Sequence, residues 1–384
     1  MKTNRKKTLP SLLAAASLLL SLLSGCGADR SAATPSPSIP PSPAAETASA
    51  SPSAAAGPRE ITDMEGNQVT IPAEVKKVYC TSPIGTYITY TLAPDRLLGW
   101  NSALTDDAKQ YIAKEYQDLE VLGGTMGGKN SINTEAIIAL APDVILDFSH
   151  GATTSAMVTQ LSQQSGIPAV TLDSSLEATP ASYRLLGEIF GAPDRGNQLA
   201  DYAQKILDTV SADVAKVPEN EKVKVYYAES ADGLKTDGVN SMHTEVIDFV
   251  NAINVVTMDT SASGQGADVS MEQVLDWNPD VILANATLGG TDFLSSLSQS
   301  STWASVNAVK NQQVYLCPAS PFNWFDRPPS IARLMGVEWL AAKLYPQYVT
   351  FDLKSDVKDF YHTFYGVDIT DAQAESLISG TGGT

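Results

Sequence analysis

Few residues in this chain are equipped to do chemistry, and they concentrate in one stretch. SPFNWFDRPPS, residues 320 to 330, sets Phe322, Trp324 and Phe325 among Asn323, Asp326 and Arg327 and closes on Pro328 and Pro329. A tryptophan face beside a guanidinium suits a bulky anionic ligand, through stacking and cation–π attraction. Phe322 and Phe325 are expected instead to seal a core. Three histidines, His150, His243 and His362, lie far apart in sequence. A bare zinc or manganese site gathers several His and carboxylate ligands, so no metal site is expected. No Gly-x-Ser-x-Gly elbow or nucleophile–base pair is found, so an enzyme is not expected either. The loop GGTMGGKNS (123 to 131) nearly spells a phosphate loop through Gly123, Gly128 and Lys129. Asn130, however, stands where a hydroxyl should hold magnesium. Glycines that let backbone approach a cleft rim are the better reading, with Lys129 adding positive charge there.

The scaffold that positions these residues is legible in an internal repeat. NTEAIIALAPDVIL from Asn133 and SMEQVLDWNPDVIL from Ser270 match at a constant offset of 137 residues, sharing Glu135/Glu272, Pro142/Pro279 and Asp143/Asp280. Asn133 and Ser270 are helix N-caps, and Gln273 completes a capping box with Ser270. A glutamate in the first turn suits the positive end of the helix dipole. Proline then ends the helix, and a short apolar run follows as a buried strand.

Around each copy, KKVYC, DRLLGW, LEVLGG, DVILDF, PAVTL, then KVKVYYAES, DVILANA and QQVYLC read as strands alternating with helices. Such alternation specifies α/β architecture: two Rossmann-like lobes with parallel sheets. Residues 59–193 form the first lobe, 194–218 a bridging helix and 219–384 the second lobe. A helix from Asp194 to Lys216 would run about 34 Å, enough to cross both lobes. Open α/β sheets bind ligands beyond the carboxyl ends of their strands, which places one cleft between the lobes. The 320–330 loop follows QVYLC and precedes the helix SIARLMGVEWLAAKLY, with Ser330 as its cap, so it belongs at that edge. Trp100, ending DRLLGW, occupies the corresponding edge of the first lobe.

The chain starts with a secretory signal: Lys2, Arg5, Lys6 and Lys7 precede the apolar run LPSLLAAASLLLSLL. That run is short for a membrane span of about 20 residues. LSGC, ending at Cys26, resembles the bacterial lipobox, so residues 1–25 are expected to be cleaved and Cys26 lipidated. Residues 26–58 are nearly all Ala, Ser, Pro and Gly and read as a solvated tether. The net charge of −18 becomes more negative once the basic leader is removed, which argues against nucleic acid and permits a basic docking partner. Beyond Cys26 only Cys80 and Cys317 remain; each follows a strand-like run, so buried free thiols are expected.

Together these residues resemble the class III substrate-binding proteins of ABC importers, which handle iron-siderophores, haem and vitamin B12. The resemblance covers residues 59 to 384 and rests on ITDMEGNQVTIPAEVKKVYC, NTEAIIALAPDVIL, VSMEQVLDWNPDVIL and the lone bridging helix. It implies two rigid lobes, the permease and ATPase subunits as partners, a monomer, and no resident cofactor. In similar proteins one surface glutamate per lobe docks onto permease arginines; Glu135 and Glu272 match those positions. The FNWFDRPPS loop resembles the branch associated with iron complexes. The expected cargo is therefore an iron chelate of siderophore type, with corrinoid, haem or a molybdate-type oxyanion as alternatives. Trp100, His150, Trp324 and Arg327 are expected to line the cleft, helped by backbone near Ser82, Gly124 and Ser230. A surface hydrolase, or an adhesin or sensor exposing the aromatic loop, are the rivals from other classes.

Overall fold

The computed structural model describes residues 57–125, 132–261, 264 and 266–380. Cys26 and Lys129 lie outside the described residues. Two parallel sheets organise the chain. The first runs in the order Val78–Cys80, Val144–Ser149, Ala169–Asp173, with Val78 opposite Val144 and Ile145 opposite Ala169. The second runs Val314–Leu316, Val281–Ala284, Lys224–Ala228, Ile253–Asn254, again all parallel. Both repeated Val-Ile-Leu runs are buried along their length, as strands covered by helices on both faces must be.

The two repeat copies fold alike. Asn133 accepts a hydrogen bond from Ala136 N to cap Thr134–Leu140, and Ser270 with Gln273 forms the full capping box on Met271–Trp277. Ala141 and Asn278 then end both helices in the left-handed region, at φ 47° and 43°. The shared aspartates follow. Asp143 Oδ2 accepts from the amides of Lys76 and Lys77, and Asp280 Oδ2 accepts from Lys224 N. Each repeat thus pins the start of the neighbouring strand as well as supplying its own.

The helix Pro193–Val214 joins the sheets, about 33 Å long, with proline at its first turn where a missing N–H costs nothing. Leu199, Ala203, Ile206, Leu207, Val210 and Val214 are buried at helical spacing and form its inner stripe. DRLLGW and LEVLGG do not become strands: they contribute only single parallel bridges, Val78 to Leu97 and Trp100 to Val121. Two glycines and an intervening 3-10 turn leave them too short to ladder. Likewise DAKQYIAKEY gives only the short helix Asp106–Lys109 and a turn at Lys114–Tyr116. Among the described residues no helix is long and apolar enough to cross a membrane. Cys80 and Cys317 are free and buried, and burial raises both thiols, Cys80 to about 12.

Candidate functional site

The carboxyl ends of the first sheet carry a hydroxyl-rich edge. Strand Val78–Cys80 leads into Ser82, which opens the helix Pro83–Leu92. Buried Asn101 ties this edge together: its Nδ2 donates to Cys80 O and Gly123 O at 2.8 and 2.7 Å, and its Oδ1 accepts from Thr86. Gly124 is needed here for close approach, since a Cβ would lie 2.5 Å from Thr81 O. Strand Val144–Ser149 ends at His150, whose ring is half-exposed and 3.5 Å from Glu245 across the seam. Ser82, Ser149 and Ser174 each stand at or just beyond a strand end, and each buries a hydroxyl without a hydrogen-bond partner.

The opposite edge is built from charge. Arg327 Nε meets Glu229 Oε1 at 2.8 Å and Asp326 Oδ2 at 3.3 Å, its Nη2 pairs with Asp237, and its Nη1 donates to Gly264 O at 3.1 Å. His243 Nδ1 lies 2.6 Å from Asp326 Oδ2, a close contact without hydrogen-bond angles. Burial raises the Glu229 carboxyl to about 8, with Arg327 opposing and the neighbouring Asp237 reinforcing the shift. Burial also disfavours the Asp237 carboxylate. Hydrogen bonds from Glu229 and Thr260, with the charges of His243 and Arg327, outweigh that and hold it below its ordinary value. The two shifts run in opposite directions, so of this pair Asp237 is the carboxyl favoured as the ion. Arg327 holds a left-handed backbone, φ 66°, a conformation unfavourable for a non-glycine residue. Its contacts with Asp237, Asp326 and Glu229 offset that cost.

The 320–330 loop mostly closes the seam, and only its last residue, Ser330, lines the space that remains. Phe322 stacks on Tyr87 of the Pro83–Leu92 helix, rings 3.6 Å apart and 14° from parallel, and lies 6.3 Å from Trp100. Ser320 bonds Asp107 across the same seam. Behind this contact, Arg333 donates to Ser174 O and pairs with Glu245, whose carboxylate also accepts from Leu176 N. A pocket remains between the edges. Its lining includes Ile84, Phe148, Ser174, Ser330 and Arg333.

Several expected ligand contacts are thereby corrected. Trp324 is 0% exposed and donates its Nε1–H to Ser320 O at 3.3 Å, so its stacking face is covered by protein. Trp100 is equally enclosed and donates to Tyr116 O at 2.7 Å. Arg327 is part-buried among acidic side chains, and its charge is already met by them. Ser230 spends its hydroxyl on Asp232 and Lys235 N and its carbonyl on Gly233 N, inside its own turn. Ser82, Gly124 and His150 do gather at the first edge. Ser330 accepts from Ala332 N rather than capping directly, and Ala332 occupies the N-cap of Arg333–Leu344. His362 is an exposed partner of Asp368. Sequence reasoning missed Asn101, Glu229, Asp237, Glu245 and Arg333. Arg333 alone left a signal, as a lone cation in the apolar run SIARLMGVEW.

Comparison with known proteins places this geometry. Residues 86–321 match the model of a family described as "Periplasmic binding protein". An ABC transporter solute binding protein from Sulfurospirillum deleyianum is similar in structure, with TM-score 0.76 and 31% identity, over 83% of this chain and 98% of that one. The molybdate-binding protein MolA of Haemophilus influenzae is 28% identical over 80% of this chain and 91% of its own length. Its molybdate-bound structure superposes with TM-score 0.66 at 25% identity, over 81% of this chain and 99% of that one. A vitamin B12-binding protein from Pectobacterium atrosepticum is 28% identical over 54% of this chain and 71% of its own. The chain belongs to the periplasmic binding protein family, as an extracytoplasmic substrate-binding component of an ABC importer and not an enzyme.

Proposed function

We propose that the cargo is a compact oxyanion of the molybdate type, the alternative to the iron chelate first expected. The observation that carries this is the space between the edges. Neither Trp100 nor Trp324, both enclosed by protein, offers it an aromatic wall, while Ser174 borders it with a buried hydroxyl that has no partner. A tetrahedral anion needs only converging donors, and the unpartnered hydroxyls of Ser82, Ser149 and Ser174 at this edge are of that kind. The similarity to a molybdate-binding protein over most of the chain supports the same reading. Calorimetric titration of the detergent-solubilised full chain should give sodium molybdate a Kd of about 1 μM or lower. A ferric hydroxamate chelate should give no heat. The reverse pattern would restore the chelate.

Delivery is proposed to run through Glu135 and Glu272. Both are exposed in the first turns of the paired helices, at equivalent points of the two repeats. Rim ion pairs of this sort orient a partner more than they hold it. Cys26 is proposed to carry the lipid. In cells, Glu135→Arg with Glu272→Arg should abolish uptake while the purified protein keeps its affinity, and Cys26→Ser should block palmitate labelling and leave the precursor uncut. Normal transport by the double reversal would remove the docking role. Palmitate labelling of the cysteine variant would remove the anchor.

A further inference from the structure

The helix Pro83–Leu92 begins inside the seam, and its first turn is buried without a cap. Ser82 holds the extended backbone of an N-cap, φ −142° and ψ 158°, yet its side chain accepts nothing from the turn that follows. A serine there normally takes the N–H of the second or third helical residue. The Ser82 hydroxyl has no other partner, and the residue is 0% exposed. Pro83 contributes no N–H, and Thr86 N is satisfied by Ser82 O at 3.2 Å. That leaves the amides of Ile84 and Gly85, both in buried residues, with no acceptor among the described residues. A buried helix start leaving two amides and a hydroxyl unpaired is costly unless something else accepts from them.

The nearest acid does not. Asp147 accepts from Thr81 Oγ1 at 2.6 Å and from Ser155 N at 3.3 Å. Ile84 borders the same pocket as Ser174, whose hydroxyl is also buried without a partner, and as Arg333.

We infer that one oxygen of the transported anion seats on the N-terminus of this helix, taking hydrogen bonds from Ile84 N, Gly85 N and Ser82 Oγ. The inference rests on the oxyanion reading and names the subsite within it. Backbone amides at a helix start carry the positive end of its dipole, so they stabilise negative charge without presenting a cation. They supply what Arg327 cannot, because its charge is already met by Asp237 and Asp326. The same geometry disfavours a cationic or purely apolar cargo at this point.

The test is a sodium molybdate titration of the full chain carrying Ser82→Ala, Ser82→Asn or Ser82→Asp. Losing the hydroxyl donor should weaken binding about tenfold. Asparagine or aspartate should cap Ile84 and Gly85 internally, raising the melting temperature of the ligand-free protein while weakening molybdate further. In wild type, glycine-selective labelling should show the Gly85 amide proton moving downfield on adding molybdate. That readout decides the matter if a variant fails to fold. Unchanged affinity in all folded variants, or a stationary Gly85 amide while molybdate binds, overturns the subsite and leaves the cargo standing. A wild-type chain that binds ferric chelate but no molybdate overturns the cargo, and this subsite with it.

Discussion

Trp324→Ala is expected to destabilise the protein by about 3–5 kcal/mol, the usual cost of emptying a large aromatic site in a core. Trp324 is 0% exposed, its indole N–H donates to Ser320 O, and its backbone amide donates to Pro318 O at 2.9 Å. The helix Arg333–Leu344 closes directly on it: a Cβ on Gly336 would fall 2.0 Å from Trp324 O. The surroundings cannot collapse easily into the vacated volume, because Phe325 beside it is itself packed edge-on against Trp339 at 5.6 Å. Chemical denaturation should therefore show a large fall in midpoint, with molybdate affinity changed far less once the protein is folded. A variant with wild-type stability and much weaker binding would return Trp324 to the ligand.

Arg327→Met is expected to cost about 3–5 kcal/mol at pH 8, since it leaves buried carboxylates without their counter-charge. Asp237 and Asp326 are 0% exposed and Glu229 3%. The pH dependence has a definite sign. Asp237 sits below its ordinary value in the wild type, so its contribution is present above about pH 4 and lost as pH falls below it. Glu229 is raised to about 8 from an ordinary 4.5, so its contribution is full below 4.5 and lost as pH rises towards 8. Removing the guanidinium lets both folded-state values rise. The unfolded chain then loses its protons first, and stability falls by up to about 1.4 kcal/mol per pH unit for each group across that window. The deficit should be greatest at pH 8 and shrink towards pH 4.5. Equal deficits at both, measured by urea unfolding, would mean that Arg327 acts through packing alone.

Residues close in sequence determined a good deal by themselves. The offset of 137 residues located both helix starts, both capping residues, both strands and the alternation that makes two parallel sheets, because caps, dipoles and periodicity act within a few residues. The amphipathic stripe on Pro193–Val214 and the burial of Cys80 and Cys317 belong to the same class. The position of FNWFDRPPS at the carboxyl edge of the second sheet also followed from order alone. Which way its side chains face did not. Arg327 is claimed by Glu229 and Asp237, 98 and 90 residues earlier, and Phe322 by Tyr87 of the other lobe. A free guanidinium and a neutralised one are spelled identically. So are a serine that caps its helix and Ser82, which does not. Only tertiary structure decides between them, because charge pairing and burial are settled by whichever groups the fold brings within a few ångströms, whatever their distance along the chain.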